Sequence, residues 1–179
     1  ISRRLIDFAG AIVGKTYGGL ALVTVISSMF FGAISGSAAA TAAAIGSIMI
    51  PAMAERGYDK NYAAAVQASA GTLGVMIPPS IPLVVYGVLT GESVGALFLA
   101  GVLPGVIVGI SLMLVAWYMA KEKGYSGTEG TGLGRIAVSF REAFFALLMP
   151  VIILGGIYSG YFTPTEASVI AVVYAVFVG

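Results

Sequence analysis

Histidine and cysteine are absent from the 179 residues, and only 9% of residues are charged, against roughly a quarter in soluble domains. Without them the chain has no Ser-His or Cys-His nucleophile, no thiolate or imidazole metal site and no disulfide. An enzyme is not expected, for want of a catalytic base. A net charge of +1 leaves no basic surface for nucleic acid. Charge is also missing in long blocks: none falls between Lys15 and Glu55, Lys60 and Glu92, Ser93 and Ala120, or Ala143 and Thr165. A bilayer span needs roughly 20 mostly apolar residues, and each block reaches that length. With 59% apolar residues, 25 Gly and 7 Pro, the composition is that of an all-α, polytopic integral membrane protein. The chain begins Ile1-Ser2-Arg3-Arg4 without a signal-peptide pattern and stops at Gly179 inside an apolar run. It reads as an internal piece of a longer chain.

Residues 1–15 set Leu5, Ile6, Ala9, Ile12 and Val13 against Arg3, Arg4, Asp7 and Lys15 at helical spacing, as in an amphipathic helix lying in the membrane interface. Residues 16–55 are about twice one span. Their centre, around Ser35-Gly36-Ser37, lacks the charged or Asn/Asp residues of an exposed turn. Two full spans are one reading; the favoured one is a re-entrant hairpin of two half-helices meeting at membrane depth, where protein or a watery cavity must surround the backbone. Residues 61–91 are interrupted by Pro78, Pro79 and Pro82 with Gly71 and Gly74, which predicts a broken transmembrane helix because each proline lacks the N–H and clashes with the preceding turn. Residues 96–120 read as an ordinary span, and 121–142, with Gly124, Gly127, Gly130, Gly132 and Gly134, as a cytoplasmic loop. Residues 143–179 read as two further transmembrane segments.

If the 16–55 run returns to its own side, all nine Lys and Arg residues fall on one face, leaving Glu92 and Glu166 on the other. The positive-inside rule makes the basic face cytoplasmic. Two full spans give the same asymmetry, so this orients the chain without choosing between them.

Several motifs reduce to plain structure. The stretch from Gly10 to Thr16 approximates a phosphate loop, but Ala9 stands where glycine is required and no strand precedes it. Ser35-Gly36 has no base nearby for a serine nucleophile. Gly101, Gly105 and Gly109 form a small-residue packing face. Thr163-Pro164-Thr165-Glu166 spells a helix start with a capping box. The echo of residues 32–36 in 156–160 has unmatched flanks and is read as coincidence. The ladder Gly32, Gly36, Ala40, Ala44 differs, because Ser35, Ser37 and Thr41 are interleaved with it. Half-helices ending at membrane depth leave free carbonyls and free N–H groups, which attract cations and anions respectively. The break at 71–82 adds carbonyls whose partners the prolines remove. Together the two elements could build a midplane site for a small hard cation and an anionic substrate.

The segments FGAISGSAAAT (31–41), IGSIMIPAM (45–53) with Gly57-Tyr58, GTLGVMIPPSIP (71–82), LFLAGVLPG (97–105) and GYFTPTEA (160–167) together resemble the large permease subunit of TRAP, or tripartite ATP-independent periplasmic, transporters. The resemblance covers nearly the whole chain and is weakest over 121–141. It implies an ion-transporter-superfamily-like elevator fold, here incomplete, built from two inverted repeats that each hold a re-entrant hairpin and a broken helix. Ser35-Gly36-Ser37 is then the first hairpin tip, 74–80 the first helix break, and 143–179 the start of the second repeat. The substrate and ion site is expected at Ser35, Gly36, Ser37, Ala38, Thr41, Thr72, Gly74, Met76, Pro78, Pro79 and Ser80, with sodium at Ser35, Ser37 and Gly74.

No cofactor is implied beyond sodium as coupling ion. The implied function is secondary active, sodium-coupled import of a small carboxylate, such as a C4-dicarboxylate or sialic acid, across a bacterial or archaeal cytoplasmic membrane. The implied partners are a small TRAP membrane subunit, a periplasmic substrate-binding protein, a small organic acid and membrane lipid. The apolar runs carry no Asp, Glu or His at depth, so nothing in them relays protons. The alternative is a passive channel or a helical membrane scaffold.

Overall fold

The computed structural model describes residues 2–127 and 133–178, which form nine helices and no strand. Ile1, Gly179, and residues 128–132 of the expected loop, with Gly130 and Gly132, lie outside the described residues, as does the Arg135 side chain. In chain order the helices are α1 (Ser2–Val13), α2 (Gly19–Ser35), α3 (Ala38–Glu55), α4 (Lys60–Gly71), α5 (Leu73–Met76), α6 (Ile81–Thr90), α7 (Val94–Glu122), α8 (Leu133–Tyr158) and α9 (Pro164–Val178). Among the described residues, four stretches are long and apolar enough to cross a bilayer: 38–55, the interrupted 60–90, 94–122 and 136–158. A helix satisfies its backbone internally, which is what an apolar surrounding demands. The outward faces of α6, α7 and α9 are correspondingly apolar, with Leu89, Leu103 and Val176 exposed.

Local chemistry explains most boundaries. Gly36, at φ 62°, ends α2 in the left-handed region with its N–H on the Gly32 carbonyl at 2.8 Å, the conformation for which glycine carries no Cβ penalty. Ser37 turns extended and caps α3, its hydroxyl accepting from Ala40 N at 3.3 Å. Asp59 and Ser93 cap α4 and α7 in the same way. The chain leaves helical geometry over residues 77–80, where Pro78 and Pro79, joined by a cis peptide bond, supply no amide hydrogen.

α2 and α3 form an antiparallel hairpin with a two-residue turn. Thr24 near its base hydrogen-bonds Met53 Sδ at 3.6 Å, and Ser35 meets Thr41 at its tip. Both feet are held at one end by the segment after α7. Gly18 N donates to the Tyr125 carbonyl at 3.0 Å, and Asp59 N donates to the Tyr125 hydroxyl at 2.9 Å. The Tyr58 and Tyr125 rings stack with centroids 4.2 Å apart. Burial raises the Tyr58 phenol above the usual tyrosine range, and its hydroxyl donates to the Ser126 carbonyl at 3.4 Å. Tyr62 donates to the Ala116 carbonyl at 2.7 Å.

Two features differ from the sequence expectations. Helix α7 runs on to Glu122 and helix α8 begins at Leu133, so twelve residues of the expected 121–142 loop are helical, ten of them in α8. Charge marks where the hydrocarbon region stops, not where a helix does. Arg141 and Glu142 stay exposed while Ser139, Ala143 and Ala146 on the same helix are buried. α1 is amphipathic as expected, with Arg3, Arg4 and Asp7 exposed and Lys15 exposed just past its end. Part of its apolar side, however, is covered by protein: Leu5 packs with Ala143 and Ala146 of α8, and Ala9 with Val23, Ile45 and Met49 of the hairpin, while Ile12 stays exposed.

Candidate functional site

The hairpin tip lands on the helix break. Ile81 N, at the start of α6, donates to the Gly36 carbonyl at 3.2 Å. Helix α2 reaches the break through Gly32, where an added Cβ would stand 2.8 Å from the Gly74 Cα. Backbones come this close only where neither side carries a side chain, which is what the small-residue ladder provides. The second ladder packs the same way: Gly101 and Gly105 of α7 lie against Met76 and Ile77, and Gly109 against Met29.

At this junction Thr41 is fully buried. Its hydroxyl donates to the Ser37 carbonyl at 2.8 Å and lies 3.1 Å from Ser35 Oγ. Ser37 N donates to Ser35 Oγ at 3.4 Å. Across the junction Ser80, 1% exposed, donates to the Val75 carbonyl at 2.7 Å. The Gly74 and Pro78 carbonyls have prolines four residues on, so no helical amide can reach them. Hydroxyl and carbonyl oxygens are thus collected with no carboxylate. Hard cations take oxygen ligands, and no cluster of Asp, Glu, His or Cys suited to a metal occurs among the described residues. Beside the junction is a cavity of about 290 Å³, lined by Ser35, Gly36, Pro79 and Ser80 together with Phe98 of α7 and Ser168 of α9.

Of the residues singled out in the sequence, Ser35, Gly36, Ser37, Thr41, Gly74, Pro79 and Ser80 meet at this junction. The three expected sodium residues are among them: an added Cβ on Gly74 would stand 2.7 Å from the Ser37 carbonyl oxygen, itself 3.4 Å from Ser35 Oγ. Ala38 is the first residue of α3, and Pro78 is fully buried in the break. Two are placed elsewhere. Thr72 is exposed between α4 and α5, its hydroxyl donating to the Ser69 carbonyl at 2.7 Å. Met76 turns its carbonyl toward Gly101 of α7. Sequence reasoning passed over Phe98, the α8 and α9 residues at the cavity wall, and buried Gln67. Gln67 alone left a signal, as an amide inside an uncharged run.

Glu166 serves as a helix cap. Its Oε2 accepts from Thr163 N at 2.8 Å and from Thr163 Oγ1 at 2.9 Å, and its own N–H reaches Thr163 Oγ1 at 3.3 Å. This is a reciprocal capping box. Thr163→Ala is therefore expected to cost about 1 kcal/mol of stability, read as a lower thermal midpoint in detergent, with the protein's activity retained.

A family model described as "Tripartite ATP-independent periplasmic transporter, DctM component" matches residues 1–179. The chain is 51% identical over 178 residues to the C4-dicarboxylate TRAP transporter large permease protein DctM of Pseudomonas aeruginosa, covering 99% of this chain and 42% of that protein. It is 49% identical over 180 residues to the isethionate TRAP transporter permease protein DctMQ of Oleidesulfovibrio alaskensis, covering 100% and 28%. It is 41% identical over 179 residues to the sialic acid TRAP transporter large permease protein SiaM of Vibrio cholerae, covering 100% and 42%. The chain thus spans less than half the length of these relatives. The four apolar helical stretches and the full-length family match identify a multi-pass membrane protein, and the chain belongs to the DctM family of TRAP transporter large permease components.

Proposed function

We propose that this chain is part of a secondary active permease that imports a small carboxylate together with sodium, by elevator-type alternating access. One observation carries the reading: the hairpin tip docks on the helix break and gathers hydroxyl and carbonyl oxygens without a charged side chain. Such discontinuous elements hold coupling ions on carbonyl ends and anionic groups on helix N-termini. The re-entrant reading of residues 16–55 draws support from the placement of the hairpin. Its feet share the end held by Tyr125, and its tip stops at the break, with the ten residues of α6 continuing about 15 Å beyond it. The named substrates of these relatives, C4-dicarboxylate, sialic acid and the sulfonate isethionate, support a small organic acid as cargo, two of the three being carboxylates. The family supports a small membrane subunit and a periplasmic binding protein as partners, and a cytoplasmic membrane with the basic end inside.

The test is uptake by the complete system in proteoliposomes. Ser35→Ala and Thr41→Ala are each expected to raise the sodium concentration for half-maximal uptake about tenfold, equivalent to about 1.4 kcal/mol of binding. Unchanged sodium affinity in both variants rejects the site. Flux that needs neither a sodium gradient nor a binding protein identifies a channel instead, and no flux at all identifies a scaffold.

A further inference from the structure

Gln67 sits on α4 and is 2% exposed. Its side chain crosses to α3, with Nε2 3.3 Å from the Thr41 carbonyl and 3.4 Å from the Ala42 carbonyl. Carbonyls only accept, so chemistry fixes the NH₂ rather than the oxygen toward them. Oε1 is left buried without a partner. Helix α3 is shaped around the side chain, since a Cβ on Gly46 would stand 3.0 Å from Gln67 Cγ. A leucine or methionine would fill this volume without stranding a polar atom, so packing alone does not call for an amide here.

What the amide reaches is the helical turn that begins at the tip. The carbonyl it holds belongs to Thr41, whose hydroxyl joins Ser37 to Ser35 and abuts Gly74. α4 in turn leads through the single turn of α5 into the break. We propose that Gln67 is a positioning residue that ties the first half of the broken helix to the second arm of the hairpin and so sets where the Thr41 hydroxyl stands. This rests on the reading of the tip and break as the transport site. A residue acting through another shows itself as non-additivity, because removing the second partner removes the effect of the first.

The experiment is a double-mutant cycle in the complete transporter, reading half-saturation for sodium and for a C4-dicarboxylate probe separately from maximal rate. Gln67→Met, which keeps volume and loses both hydrogen bonds, is expected to raise half-saturation about tenfold with maximal rate within twofold, a shift of about 1.4 kcal/mol. In a Thr41→Ala background the same change is expected to add less than twofold. Unchanged half-saturation in Gln67→Met overturns the proposal, as does a full tenfold effect in the Thr41→Ala background, which marks a general packing role. Should Gln67→Met fail to insert, the near-isosteric Gln67→Glu, whose carboxylate opposes the two carbonyls, is scored by the same criteria. Wild-type uptake without sodium dependence defeats the sodium reading by itself, and the cycle is then decided on half-saturation for the dicarboxylate alone.

Discussion

Gly74→Ala is expected to reduce uptake by the complete transporter about ten- to a hundredfold while the protein still inserts. The added methyl would collide with Thr41 Oγ1 and stand 2.7 Å from the Ser37 carbonyl oxygen. Neither neighbour is a flexible side-chain end: one is backbone at the tip, and the other is a buried hydroxyl already committed to Ser37. Relief requires lifting the tip from the break, which separates the two halves of the oxygen cluster. Overpacking of this kind costs about 1–3 kcal/mol, enough to disrupt a docking contact without unfolding the helices. Gly155→Ala on α8 is the control, since nothing lies within 4 Å of its added Cβ. Uptake by Gly74→Ala within twofold of wild type would show that the tip does not work in the docked position.

Phe98→Ala is expected to cost about 3–5 kcal/mol of stability, the range for deleting a buried aromatic ring. Phe98 is 1% exposed and is the largest of the fully buried side chains among the described residues. It stands between α7 and the junction, at the wall of the cavity that Ser35, Gly36, Pro79 and Ser80 also line. Removing the ring enlarges that cavity beside the tip rather than in a remote core, so uptake is expected to fall together with the thermal midpoint in detergent. Phe98→Leu, which keeps part of the volume, is expected to recover part of both. A midpoint unchanged in Phe98→Ala would mean that the ring is not packed as described.

The helix ends at the site are legible in the sequence because their causes are local. Gly36 accepts a left-handed conformation, Ser37 caps the next helix, and the prolines at 78 and 79 withhold amide hydrogens from the turn before them. The capping box at Thr163 and Glu166 belongs to the same class. The start of α8 was not legible in this way. Charges at Arg141 and Glu142 resemble a boundary in one dimension, whereas in space they occupy the exposed side of a continuing helix. Nor did the sequence distinguish Thr41 from Thr72. Both are hydroxyls near a helix end, yet one is fully buried at the junction and the other is exposed and bonded to Ser69.

By itself, the sequence determined that this is a helical membrane protein whose uncharged runs carry no Asp, Glu or His. It also determined which residues interrupt the helices, since composition, capping and proline sterics act within a turn or two of chain. Only the tertiary structure decided that the interruption at 36–37 meets the one at 77–80. It also decided that Gly32 and Gly74 are the paired small residues permitting this approach, and that Gln67 reaches the carbonyl of Thr41. Those pairings join residues dozens of positions apart, and they exist because helices pack where side chains leave room.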